Sequence, residues 1–221
     1  MRAAVREAFV RFSSDLEGVV PWMYQDVKGL VTVAIGNLVD PMSLALDLPF
    51  VKPDGSPASR AEIASAWQAV KNRTDLARLG HRVAARATNI RLTPEGIERV
   101  VMAKFDQMAR QLETRFPTLD EWPADAQLAT MSMAWACGPA FRFPRLAACL
   151  RAKDFSGAAH ECTIQEVGNP GVRPRNVRNR ILYRNAAAVM RREPELDRDT
   201  LYGWETCLED LIDTQPKLPE E

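Results

Sequence analysis

The sequence predicts an α+β fold that is mostly α, on three observations. Apolar residues recur at three- and four-residue steps through most of the 221-residue chain, which is the spacing of helix faces. One stretch near the N-terminus reads instead as a β-hairpin, with Gln25-Asp26-Val27-Lys28-Gly29 at its tip. Fifteen prolines against eleven glycines punctuate the segments rather than dissolve them, and 46% hydrophobic content suffices for a sizeable core in one domain or two lobes.

The elements follow in chain order. Residues 2–17 form an amphipathic helix with Val5, Ala8, Phe9, Phe12 and Leu16 on one stripe and Gly18 as its stop. The hairpin comes next, and 40–57 is a Pro-, Asp- and Gly-punctuated loop with short helical turns. Ser59-Arg60-Ala61-Glu62 is a capping-box pattern; the helix it opens runs to about Asn72, with Ile63, Ala66, Trp67 and Val70 on one face. At that periodicity Trp67 belongs to the core rather than to a sugar-stacking surface. A second helix is expected over 74–87.

Thr93-Pro94 is a helix start, and Ile97, Val100, Val101, Phe105, Met108 and Leu112 keep the helical period towards Phe116-Pro117. After a turn at 120–123, residues 124–137 are apolar nearly all round and stop at Gly138-Pro139, as a buried central helix does. Helices over 143–151 and 155–166 follow. An Arg-rich helix from about Pro174 carries Val177, Ile181, Ala188 and Val189 inward.

Glu17, Asp26 and Thr32 are the residues that point to chemistry. Glu17 closes the first helix, at the negative end of its dipole and beside Val19, Val20 and Trp22; both influences favour the protonated acid. Asp26 sits at a wet hairpin tip near Lys28 and is expected to stay ionised. A protonated acid, an ionised acid and a hydroxyl that holds water are what hydrolysis of a glycosidic bond requires.

The pattern Glu-Gly…Tyr-x-Asp…Gly-x-x-Thr-x-x-Ile-Gly, with eight residues between Glu17 and Asp26 and five between Asp26 and Thr32, resembles the phage-type lysozymes of the T-even bacteriophage kind, glycoside hydrolase family 24. The matching run covers residues 16–38, about a tenth of the chain. The resemblance implies a lysozyme-like two-lobed fold, with a small hairpin lobe and a larger helical lobe. It also implies a muramidase that cleaves the bond between N-acetylmuramic acid and N-acetylglucosamine in peptidoglycan. Position by position, Glu17 matches the general acid, Asp26 the second carboxylate and Thr32 the residue that helps place the attacking water. Tyr24 falls in the same motif as a substrate-side residue, and Arg180 is the arginine expected to orient Glu17. The family usually reads Thr-x-Gly-x-Gly-His, where this chain has Thr32-Val33-Ala34-Ile35-Gly36-Asn37; neither departure touches the three proposed catalytic positions.

The expected organisation is a single domain over 1–221. It comprises the N-terminal helix and hairpin (1–39), an inter-lobe helical insertion (40–92), and a helical lobe with an acidic C-terminal tail (93–221). Net charge is zero but uneven: Val167 to Arg192 holds seven arginines and no acid, whereas Glu193 to Glu221 holds ten acids against Arg198 and Lys217. That basic stretch is either a face for an anionic polymer or a solvated helix face partly covered by the tail. No aromatic interleaving or reading motif points to nucleic acid.

Cys137, Cys149, Cys162 and Cys207 form no Cys-x-x-Cys pair and only His81 and His160 accompany them, so neither a zinc site nor a Cys/His nucleophile is expected. Cys137 and Cys162 read as buried thiols, with disulfide pairing left open. There is no Gly-rich phosphate loop, so no nucleotide cofactor is expected, and the cofactor and metal expectations are none. No run approaches the roughly 18 apolar residues of a membrane span.

The N-terminus lacks an uninterrupted apolar core, so no cleavable signal peptide is expected. Synthesis in the cytoplasm and action on the periplasmic wall then require export, injection or lysis. The implied partners are peptidoglycan glycan strands and, for an antagonism effector, a secretion machine of the type VI kind and a periplasmic immunity or inhibitor protein. A phage endolysin, a lytic transglycosylase and a catalytically silent wall-binding fold are the competing readings.

Overall fold

The computed structural model describes residues 1–208 and Asp210. The last part of the acidic tail, Glu209 and 211–221, lies outside the described residues. The fold is α+β and mainly helical, with two small antiparallel sheets. The chain forms two compact units: Val10–Lys104, and Met1–Phe9 together with the chain from Phe105 onward. Helices α1 (Ala3–Glu17) and α5 (Pro94–Arg115) each supply residues to both.

The unit Val10–Lys104 is built on a three-stranded sheet of β1 (Val20–Gln25), β2 (Val31–Ala34) and β3 (Asn37–Leu38). Tyr24 pairs with Thr32 and Gln25 with Val31, while the register is irregular between Val20 and Tyr24. Strands β1 and β2, with Met23, Val31 and Val33 buried, pack against α2 (Arg60–Lys71), whose Ile63, Ala66, Trp67 and Val70 are buried in turn. Polar bonds fix this packing: Trp67 Nε1 donates to the Val39 carbonyl at 2.8 Å, and Gln25 Nε2 to the Val70 carbonyl at 2.9 Å. Lys71 Nζ donates to Asp40 Oδ2 at 2.6 Å and to the Gly29 carbonyl at 3.0 Å, so the end of α2 holds the hairpin tip. The Ser59–Glu62 capping box forms on both arms.

Two short strands, β4 (Phe50–Val51) and β5 (Arg91–Leu92), pair antiparallel and close the base of the insertion. Two-residue strands leave no periodic trace in a sequence, and the reading of 40–57 as loop missed β4. The helix expected over 74–87 is two four-residue helices, α3 (Leu76–Leu79) and α4 (His81–Ala84). Gly80 separates them with φ 81 and ψ 171, a conformation no helix passes through.

In the other unit, α6 (Ala124–Cys137) is buried from Ala124 through Trp135 and packs against α9 (Arg173–Arg191). Phe9 meets Phe105 and Trp135 with ring centroids 4.8 and 4.9 Å apart. Helices α7 (Pro144–Arg151) and α8 (Phe155–Glu161) complete it. Asp125, fully buried at the start of α6, accepts backbone N–H groups of Tyr202 and Gly203 at 3.0 Å each, and burial pushes its carboxyl up to about 7.

Three expectations are corrected here. The helix from 155 stops at Glu161 rather than 166, because the Asn176 amide satisfies both the N–H and the carbonyl of Ile164 in place of a continuing helix. Val177 of α9 is 47% exposed rather than inward, since the inward stripe carries Arg175, Asn176, Asn179, Leu182 and Tyr183 instead. Cys137 is exposed rather than buried, because the last turn of α6 emerges from the core before Gly138. All four cysteines are free; Cys162 is buried, and burial pushes its thiol up to about 11.

Candidate functional site

Glu17 is the last residue of α1, and its side chain is exposed. Gly18, with φ 72, donates its N–H to the Ser14 carbonyl at 2.9 Å and ends the helix in a left-handed cap. The chain then turns straight into β1. Asp26 follows β1 and organises the hairpin turn. Its Oδ1 accepts the N–H groups of Lys28 and Leu30 at 2.8 and 2.9 Å, while its own backbone exchanges bonds with Leu30 and Gly29. Gly29, at φ 74, supplies the left-handed turn residue. Asp26 thus carries a structural load in addition to its charge.

Thr32 lies directly across from Tyr24 in the β1–β2 ladder, so the two side chains stand on the same sheet face. Thr32 is 5% exposed, and its hydroxyl donates to the Leu30 carbonyl at 3.3 Å. Burial raises the Tyr24 phenol above its ordinary range, and the negative charges of Glu17 and Asp26 push it the same way. One phenol therefore senses both carboxylates, and its cross-strand partner is Thr32. Of the sequence-predicted residues, Tyr24 and Thr32 share a sheet face, Asp26 lies in the turn that joins their strands, and Glu17 ends the helix before β1.

Lys104, near the middle of α5, is a residue the sequence reading missed. Its Nζ donates to the Gly36 carbonyl at 3.1 Å. Burial pulls its ammonium down to about 8 against the opposing attraction of Glu17. The signal was present: positions 97, 100, 101, 104 and 108 share one helical stripe, and Lys104 is its one charged member.

Ala34 and Asn37, the two departures noted in the sequence motif, flank the turn that holds Gly36. Ala34 is buried with φ 57, the left-handed region that favours glycine. Asn37 is buried and donates Nδ2 to the Val100 carbonyl at 3.3 Å, so it joins the hairpin to α5 as a structural residue; its Oδ1 has no hydrogen-bond partner among the described residues.

Trp22, two residues before Tyr24, donates its indole N–H to the His81 carbonyl at 2.8 Å. The Tyr24 and His81 rings meet edge to face at 6.0 Å. The insertion is therefore built onto the strand that carries Tyr24.

Arg180, the arginine expected to orient Glu17, is exposed on α9, where its charge acts on the Cys162 thiol. The buried arginine of that segment is Arg175, whose guanidinium donates to the carbonyl and hydroxyl of Ser132 at 3.1 and 2.9 Å. Among the described residues no cluster of His, Cys, Asp or Glu could hold a metal ion, and no helix is long and apolar enough to cross a membrane. Compared with known proteins, the chain matches no protein-family model and no curated sequence.

Proposed function

We propose that the protein is a peptidoglycan glycosidase of the lysozyme kind, cleaving the bond between N-acetylmuramic acid and N-acetylglucosamine. The observation that carries this reading is the Tyr24 hydroxyl, on which the charges of Glu17 and Asp26 both act while Thr32 stands opposite it. A hairpin-bearing unit and a helical unit support the accompanying reading of a lysozyme-like two-lobed fold.

In the proposed reaction Glu17, protonated, gives its proton to the glycosidic oxygen as the bond breaks. Asp26, whose Oδ1 accepts two backbone N–H groups that fix its orientation, stabilises the positive charge that develops on the sugar ring. In the same displacement a water on the side of Asp26 and Thr32 attacks the sugar carbon and passes its proton to Asp26, a geometry for which the carboxyls of an inverting enzyme lie on the order of 6.5–9.5 Å apart.

A second reading, a lytic transglycosylase, is favoured by one fact: the Thr32 hydroxyl is buried and committed to the Leu30 carbonyl rather than open to water. In that chemistry the 6-hydroxyl of the muramic residue replaces water and Glu17 alone supplies acid and base. Mass analysis of the fragments released from purified sacculi separates the two. Reducing ends support hydrolysis; 1,6-anhydro ends overturn it in favour of the transglycosylase.

A further inference from the structure

Residues 73–91 carry Arg73, Arg78, His81, Arg82, Arg86 and Arg91 against Asp75 alone. These groups divide sharply by what they already touch. Arg73 forks onto Asp75 at 2.7 and 2.6 Å. Arg91 donates to the carbonyls of Thr88 and Ile90 at 2.6 and 2.7 Å, and its guanidinium lies 5.2 Å from the centre of the Trp22 ring. Both are occupied with holding the segment in shape.

Arg78, Arg82 and Arg86 are different. All three are exposed, and none of their guanidinium groups makes a hydrogen bond or ion pair with another described residue, although the charge of Arg78 acts on Asp75. The imidazole of His81 is exposed too and is engaged only edge-on with Tyr24. Uncommitted guanidinium groups on a short, well-braced segment are suited to planar carboxylates, which they hold in two-point contacts.

Placement selects the ligand. The segment is fastened to β1 by the Trp22–His81 hydrogen bond and by the stacking of Arg91 on Trp22. Its His81 touches Tyr24, the residue that senses Glu17 and Asp26. A glycan strand reaching those carboxylates therefore runs beside the arginines. Each muramic residue of that strand bears a peptide stem with free carboxylates.

We infer that Arg78, Arg82 and Arg86, with His81, form a binding surface for the peptide-stem carboxylates of the substrate, making the insertion a specificity element of the candidate site. The inference rests on the glycosidase reading and narrows the substrate to stem-bearing strands.

The test compares the full chain with its Arg78→Ala/Arg82→Ala/Arg86→Ala variant on two substrates: intact sacculi, and glycan strands stripped of their stems by an amidase. The variant raises KM on sacculi about tenfold, at roughly a twofold loss per arginine, with kcat unchanged and no effect on stripped strands. The triple Arg→Lys variant restores most of the binding, and raising salt from ~0.05 to ~0.5 M erases the wild-type preference for stems. An unchanged KM on sacculi overturns the inference, as does an equal loss on both substrates. Should the wild type cleave neither substrate, the glycosidase reading falls on its own. Co-sedimentation with sacculi and with stripped strands then decides the inference: a binding loss confined to sacculi supports it, and equal binding by wild type and variant overturns it.

Discussion

Replacing Lys104 by Met tests whether a buried cation is held under strain beside Glu17. The substitution keeps the unbranched side chain as far as Cε and removes the terminal ammonium with its charge. Burial moves the ammonium from 10.5 to about 8. At 1.36 kcal/mol per unit, that shift corresponds to about 3 kcal/mol of folding free energy lost while the group is charged. Met forfeits the hydrogen bond to the Gly36 carbonyl, which offsets about 1–1.5 kcal/mol of the gain.

The net expectation at pH 7 is a variant more stable by about 2 kcal/mol, or about 4–8 °C in Tm for a chain of this size. The sign depends on pH in a defined way. Below pH 8 the side chain is charged in the folded and unfolded chain alike, and the burial cost is complete. Between pH 8 and 10.5 the folded chain releases the proton while the unfolded chain keeps it, so wild-type stability rises with pH. Above 10.5 the cost is gone and the advantage of Met closes. Urea unfolding of both proteins at steps from pH 6.5 to 10.5 follows the gap directly. A Lys104→Met protein less stable at pH 7, or a gap that does not change over that range, refutes the reasoning.

Two further substitutions separate structure from chemistry. Asp26→Asn keeps an acceptor for the Lys28 and Leu30 N–H groups and loses the charge, so Tm stays within a degree or two while turnover of sacculi falls by two orders of magnitude or more, about 10²-fold at least. Asp26→Ala loses the same turnover and about 1–2 kcal/mol of stability besides, read by thermal melting; equal melting of the two variants would show that the turn does not depend on Oδ1. Ala34→Gly relieves a left-handed backbone that costs an L-residue about 1–2 kcal/mol, partly offset by the entropy of glycine in the unfolded chain. The expected outcome is a stabilisation of about 0.5–1 kcal/mol by urea unfolding, and a loss of stability contradicts it.

What was legible in the sequence was what local chemistry encodes. Ser59 and Glu62 announced a helix start because a capping box is a local exchange of bonds, and the structure forms both of them. Thr93-Pro94 opened α5 for the same kind of reason, with Thr93 Oγ1 accepting the Gly96 N–H at 3.1 Å. The apolar run 124–137 declared its own burial up to its last turn.

What was not legible depended on partners far away in sequence. The face of α9 was misread because Arg175 and Asn176 turn inward to the Ser132 and Ile164 backbones, and nothing in the helix itself reveals those acceptors. Lys104 was hidden by its type: a lysine on an apolar stripe looks like a boundary residue until its carbonyl partner at Gly36 is in place. At the candidate site, spacing singled out Glu17, Asp26 and Thr32, and the structure puts Asp26 in the hairpin turn and Thr32 across from Tyr24. The basic insertion beside them became visible only when Trp22, Tyr24 and His81 were seen to join it to β1.

The most direct measurement is turnover of purified sacculi by the wild type and by Glu17→Gln, both shown to be folded by their melting curves. The account predicts soluble muropeptides from the wild type and a rate lower by about 10²–10⁴-fold in the variant, the range a lost general acid produces. Equal release by the two proteins, or none from a well-folded wild type, contradicts it.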